Sequence, residues 1–138
     1  MNFMDLPEGW DTEPIHTDDR VADILDLLIS ERDRRAGAVL VVICDERGNF
    51  VVASVVEDLR TPMDAEAKRH LVRVFAAATE QLEQRAGLMV AIARADGLSL
   101  TQDDREWGPV VRGVCDAFDI ELLGVHLVTL HGTRQIAA

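Results

Sequence analysis

Leu88-Met89-Val90-Ala91-Ile92-Ala93-Arg94-Ala95-Asp96-Gly97-Leu98-Ser99-Leu100-Thr101-Gln102-Asp103-Asp104 is the stretch on which the fold turns. Leu88 to Ala93 is uniformly apolar and follows Gly87. It is too short for a helix and apolar on both sides, as a strand covered on both faces must be. Asp96-Gly97 marks a loop. Thr101, with Asp104 three residues on, forms a capping-box pattern, so a helix opens there. Trp107, Val111, Val114, Cys115 and Phe118 supply its inner face. Pro109 removes the hydrogen bond to Arg105, which predicts a kink or a late start. A last strand is expected over Ile120–Leu130, with His126 and His131 near its far end.

Upstream, Ala38–Cys44 is another short β-branched run apolar on both sides, and Phe50–Val56 returns as a second strand. The turn Asp45-Glu46-Arg47-Gly48-Asn49 makes the two a hairpin. Before the hairpin, Thr17-Asp18-Asp19 supplies a cap and an acidic first turn. Val21, Ile24, Leu25 and Leu28 follow as one helical stripe, Arg32, Arg34 and Arg35 close the helix, and Gly37 stops it. After the hairpin, Thr61-Pro62-Met63-Asp64 reads as a helix start with Pro62 at the first helical position. Ala67, Leu71, Val74, Phe75, Ala78 and Leu82 then repeat at helical spacing up to Gly87. Residues 1–16 show no period and read as an arm. Residues 17–138 form a single α/β domain of order α-β-β-α-β-α-β, three-layer-like, with four strands and three helices.

The chain of 138 residues has 14 Lys+Arg against 25 Asp+Glu, a net charge of −11. That balance argues against phosphate-backbone binding, because no basic surplus exists to displace counterions; a local patch would centre on Arg32, Arg34 and Arg35. A hydrophobic content of 48% is too high for disorder. No apolar run approaches the ~20 residues of a membrane span, and the acidic N-terminus is unlike a signal peptide. Cytoplasmic location is the expectation, with Cys44 and Cys115 as buried reduced thiols.

No HExxH, Gly-rich phosphate loop or GxSxG occurs, and the HxE and PCxxC of zinc deaminases are missing. His70, beside Lys68, Arg69 and Arg73, reads as solvated. His126 reads as a hydrogen-bonded packing residue. His126 and His131 stand an odd number apart, so on one regular strand they face opposite sides and do not share a metal.

The order of elements, the hairpin Val42–Phe50, the interval from Ala93 to Asp104 and the ending Ile120–Val128 resemble the JAB/MPN metalloprotease-like fold, in its RadC-like branch. The resemblance spans roughly residues 20 to 132 and implies a JAB/MPN, cytidine-deaminase-like architecture. The family carries two histidines one residue apart at a strand end, a Ser seven residues later and an Asp two further on, opening a helix. Ala91 and Ala93 stand in the histidine positions, Thr101 in that of the Ser and Asp104 in that of the Asp. The general-base Glu is replaced within Ala36-Gly37-Ala38, and the Pro-Ser-Gly stretch by Arg94-Ala95-Asp96-Gly97. A catalytic zinc needs three protein ligands and an open position, and Ala offers no lone pair. The resemblance therefore implies no metal, no cofactor, no catalytic residue and a non-catalytic interaction or scaffold module, with Ala91, Ala93, Arg94, Thr101, Asp104 and His126 lining a remnant cleft. The expected partner is another protein or a second copy in a homodimer, not nucleic acid or membrane. The alternatives are a divergent metal-dependent hydrolase or a small-ligand sensor in the vacated cleft, either empty or filled by Arg94. Residues 20 to 56 also resemble a roadblock/LC7 regulatory domain, whose run of later strands departs from the helix expected after Thr101.

Overall fold

The computed structural model describes residues 18–47, 49–57, 59, 63–82 and 84–137, with the side chains of 18–20 left aside. The expected arm at 1–16, Thr17, Gly48, Thr61 and Pro62 lie outside the described residues. β1 (Ala38–Cys44), β2 (Phe50–Glu57), β3 (Gly87–Ala93), β4 (Glu121–Thr129) and β5 (Gly132–Ala137) form one mixed sheet of order β2-β1-β3-β4-β5. β1 is antiparallel to both neighbours, β3 and β4 are parallel, and β5 is antiparallel to β4. Every residue of β1 and of β3 is buried. Two strands apolar on both sides must be covered on both sides, and that demand sets the layers.

On one face, α3 (Ala65–Ala78) and α4 (Gln102–Phe118) bury Val72, Ala76, Trp107, Val111, Val114 and Cys115 against Val39, Val41, Ile43, Leu88, Val90 and Ile92. On the other, α1 (Asp18–Leu28) lays Val21, Ile24 and Leu25 on Leu40, Val42, Cys44, Met89, Ala91 and Ala93. The expected mixed α/β class and strand β1 are seen, and the helix expected after Thr101 is α4. It begins at Gln102 and runs through Pro109, so the late start is not observed.

Three expectations are corrected. The opening helix is two: α1 ends at Leu28, and Ser30 caps a short α2 (Glu31–Ala36) by accepting from the Asp33 N–H at 3.1 Å. Gly37 closes α2 at φ 90°, a conformation that glycine adopts without Cβ strain, and donates to the Asp33 carbonyl. The second helix begins later than expected, with Asp64 rather than Thr61 as its cap and a bond from the Ala67 N–H at 2.7 Å. The strand expected over Ile120–Leu130 is seen as β4 but is not the last, since a turn at Leu130-His131 leads into a further edge strand, β5. Among the described residues there are thus five strands and four α-helices, not four and three.

The expected stripe of the second helix is met in part, since Leu71, Phe75 and Leu82 pack against the core, but the deepest face of α3 differs. Lys68, Val72, Ala76 and Thr79 point inward, while Ala67 and Ala78 are exposed and Val74 is 56% exposed. Lys68 is wholly buried. Its ammonium donates to Asp103 Oδ1 at 2.7 Å, to the Asp103 carbonyl at 2.9 Å and to Glu106 Oε1 at 3.0 Å, and lies 5.5 Å from the centre of the Trp107 ring. Three donors meet three acceptors, so the charge is fully satisfied and ties α3 to the first turn of α4. A planar guanidinium does not fit this compact set. Lys68→Arg is therefore expected to destabilise by about 1–3 kcal/mol, and Lys68→Ala by at least as much, in denaturant unfolding. Wild-type stability in Lys68→Arg contradicts the role given to the ammonium.

Candidate functional site

The end of β3 and the start of α4 are held together by one carboxylate. Thr101 Oγ1 accepts from the Asp104 N–H at 3.1 Å, and Asp104 Oδ2 accepts from the Thr101 N–H at 2.9 Å, closing the capping box. Arg94, the residue after β3, approaches the same carboxylate side-on, Nε to Oδ1 at 3.2 Å and Nη2 to Oδ2 at 2.8 Å. Two further N–H groups, on Nη1 and Nη2, go to the carbonyls of Asp96 and of Ser99. The guanidinium thus occupies the bend between strand and helix. Asp104 is 1% exposed. Burial pushes its carboxyl upward, but the Arg94 bonds and the Thr101 N–H outweigh that and hold it below the usual carboxylate range.

Ala91 and Ala93 do not converge on Asp104, as the resemblance led us to expect. Both belong to the apolar cluster under α1, whereas α4, which carries Asp104, packs on the opposite face. Side chains alternate along a strand, so Arg94 faces the α4 side and Ala93 does not. His126 pairs with Ala91 in the β3–β4 register. With Val21, Ala22, Thr133, Arg134 and Gln135 it lines a small cleft of about 210 Å³. The six expected cleft residues therefore separate into two groups: Arg94, Thr101 and Asp104 on one side, and Ala91, Ala93 and His126 on the other. Gly124 makes room for the imidazole, because a Cβ there would lie 2.7 Å from His126 Nε2.

A larger groove of about 460 Å³ lies where α1 breaks into α2, lined by Asp26, Ile29, Ser30, Glu31, Arg34, Arg35 and Leu130. Arg34 bonds Asp26 at 2.9 Å and the Thr129 carbonyl at 3.3 Å, and Arg35 bonds Glu31 at 2.6 Å. Each of these two arginines carries a carboxylate partner, so the local basic patch expected around Arg32, Arg34 and Arg35 is largely neutralised. Burial works to raise the Asp26 carboxyl, the Arg34 guanidinium works to lower it, and on balance the group lies below the usual carboxylate range.

Cys44 and Cys115 are both buried and free, on opposite faces of the sheet, which precludes a bond between them. Burial pushes the Cys44 thiol up to about 12 and the Cys115 thiol to about 11, so neither is a nucleophile at neutral pH. Among the described residues, no group of three or more His, Cys, Asp or Glu side chains is placed to hold a metal. His70 is exposed on α3, as its charged neighbours suggest. No described helix is long and apolar enough to cross a membrane. No protein-family model matches the chain, and a search of curated proteins returned no match.

Reasoning from the sequence passed over Lys68 and Ser30. Ser30-Glu31-Arg32-Asp33 has the spacing of a cap followed by an acid three residues on, which was the available signal. Lys68 is the one lysine among 14 basic residues, four positions before the buried Val72.

Removing Arg94 leaves Asp104 buried with the capping bonds alone. Arg94→Ala should destabilise the chain by about 1–3 kcal/mol at pH 7. Because the folded carboxyl is held below its unfolded value, this stabilisation is present above about pH 4 and lost as pH falls through the folded value. The difference between Arg94→Ala and wild type should therefore shrink in acid. A difference that persists or grows there contradicts the ion-pair account.

Proposed function

We propose that this chain is a non-catalytic, JAB/MPN-like domain serving as a protein-interaction or scaffold module in the cytoplasm, with no metal, cofactor, nucleic acid or membrane as partner. The observation that carries this reading is the engagement of Asp104. Of the residues aligned with the family's ligands, it alone retains a carboxylate. Both its oxygens are bonded to Arg94, and one also to the Thr101 N–H. A ligand carboxylate needs an accessible lone pair directed at an open position. Asp104 spends its oxygens on the helix start and on the guanidinium instead.

Ala91 at 0% and Ala93 at 2% exposure fill core space under α1, and neither lines the small cleft beside His126. The JAB/MPN likeness then rests on the order of elements from β1 to β4 and on the interval from Ala93 to Asp104. What such a chain retains is its surface, and an acidic surface of net charge −11 favours protein partners over polyanions.

Native mass spectrometry of the purified full chain tests this reading. The expected mass is that of the polypeptide, alone or in copies, with well under one equivalent of zinc. A full zinc equivalent that disappears in Asp104→Asn overturns the non-catalytic reading. A small molecule retained in stoichiometric amount replaces it with the sensor reading.

A further inference from the structure

β2 is one of the two edges of the sheet, and its outward N–H and C=O groups meet no strand among the described residues. Edge strands are usually protected by lysine, proline, an inward charge or a bulge, because a bare edge is a template for another strand. Phe50-Val51-Val52-Ala53-Ser54-Val55-Val56-Glu57 contains no lysine and no proline, and its one charge is the last residue. One irregularity occurs at the Phe50 end, where the register with β1 shifts between Ile43 and Cys44. From Val52 to Glu57 the ladder is regular. Val51 and Val52 remain 43% and 44% exposed although they lie in a strand. The other edge, β5, differs: it includes Gly132, an Arg134 bonded to the Leu98 carbonyl and an exposed Gln135.

We propose that the β2 edge pairs antiparallel with β2 of a second copy of this chain, joining the two sheets into one across a twofold axis through Ser54. The proposal rests on the interaction-module reading and names its surface. The choice of axis follows from parity. Two copies related by a twofold normal to the sheet present the same face, so residues opposite each other must share that face. Val52 and Ser54 pair with Ile43 and Val41 of the α3 side, whereas Val55 pairs with Leu40 of the α1 side. Val52 can therefore oppose Val56 but not Val55.

An axis through Ser54 uses the whole span 51–57. It sets Val52 against Val56, Ala53 against Val55, Ser54 against itself and Glu57 against Val51. β-Branched pairs and facing hydroxyls are favourable cross-strand neighbours, and no like charges meet. The two Glu57 side chains stand six residues apart, about 20 Å at the rise of a strand, well beyond the Debye length at physiological salt. With a net charge of −11 on each chain, this nearly uncharged edge is where two copies can approach.

Sedimentation equilibrium on the full chain is the first test, and a reversible dimer is expected. Val52→Lys places a cation in the new ladder at a position already exposed in the single chain. It should leave the thermal transition of the monomer, read at concentrations below the dissociation constant, in place and weaken dimerisation by about tenfold or more. The second test does not depend on that variant: Ser54→Cys should form a covalent dimer under mild oxidation, since antiparallel partners stand at disulfide distance, whereas Ala53→Cys and Val55→Cys should not. A monomeric wild-type chain overturns the inference and leaves the metal-free reading standing. So does a dimer that Val52→Lys leaves unchanged, or one that cross-links through position 53 or 55 instead of 54.

Discussion

The bidentate contact between Arg94 and Asp104 fixes the join on which the rest of the domain is built. β3 must hand the chain to α4, and α4 must return it parallel to β3 as β4. A parallel pair needs such a crossover, and the crossover helix has to start at a set place over the sheet. Asp104 closes the capping box of α4 while its oxygens accept from Arg94, the residue that follows β3. One carboxylate therefore defines both where the strand stops and where the helix begins. The same contact has a chemical consequence, because a carboxylate committed to a guanidinium and a helix cap is withdrawn from metal ligation.

Burial on both faces of β1 and β3 supplies the driving force around that join. Burying apolar surface contributes roughly 25 cal/mol per Å², and two strands without a polar face can bury themselves only between two helical layers. α1 provides one layer, and α3 with α4 the other. Lys68 then locks the paired helices by a short-range set of three bonds in which only the ammonium is fully out of water; Asp103 and Glu106 keep 21% and 38% of their side chains exposed. Among the described residues, both faces of β1 and β3 are thereby covered, and β2 and β5 stand at the two edges of the sheet.

Much of this was legible in the residues. The bounds of β1 follow from an unbroken apolar run, and Thr101 with Asp104 announces the start of α4. Other features were hidden for identifiable reasons. The arginines at 32, 34 and 35 look like the favourable end of one long helix, which masks the Ser30 cap between α1 and α2. Lysine is excluded from an apolar stripe by its charge, so the inner face of α3 was placed on Ala67, Leu71, Val74, Phe75, Ala78 and Leu82; Leu71, Phe75 and Leu82 do pack against the core, but Lys68, Val72 and Ala76 take the deepest positions. β5 follows a turn at Leu130-His131 that has no Asn-Gly or Asp-Gly signature. The separation of Ala91 and Ala93 from Asp104 depends on which face of the sheet α4 covers, and residue spacing alone does not carry that information.

The claim that the Arg94–Asp104 contact is structural is tested most directly by a double-mutant cycle in unfolding free energy, using Arg94→Ala, Asp104→Ala and the pair. Residues in direct contact in one network couple by about 0.5–3 kcal/mol, and a value above about 1 kcal/mol is expected here. A coupling near zero, with Arg94→Ala as stable as wild type, would mean that Asp104 is held for a purpose other than the fold.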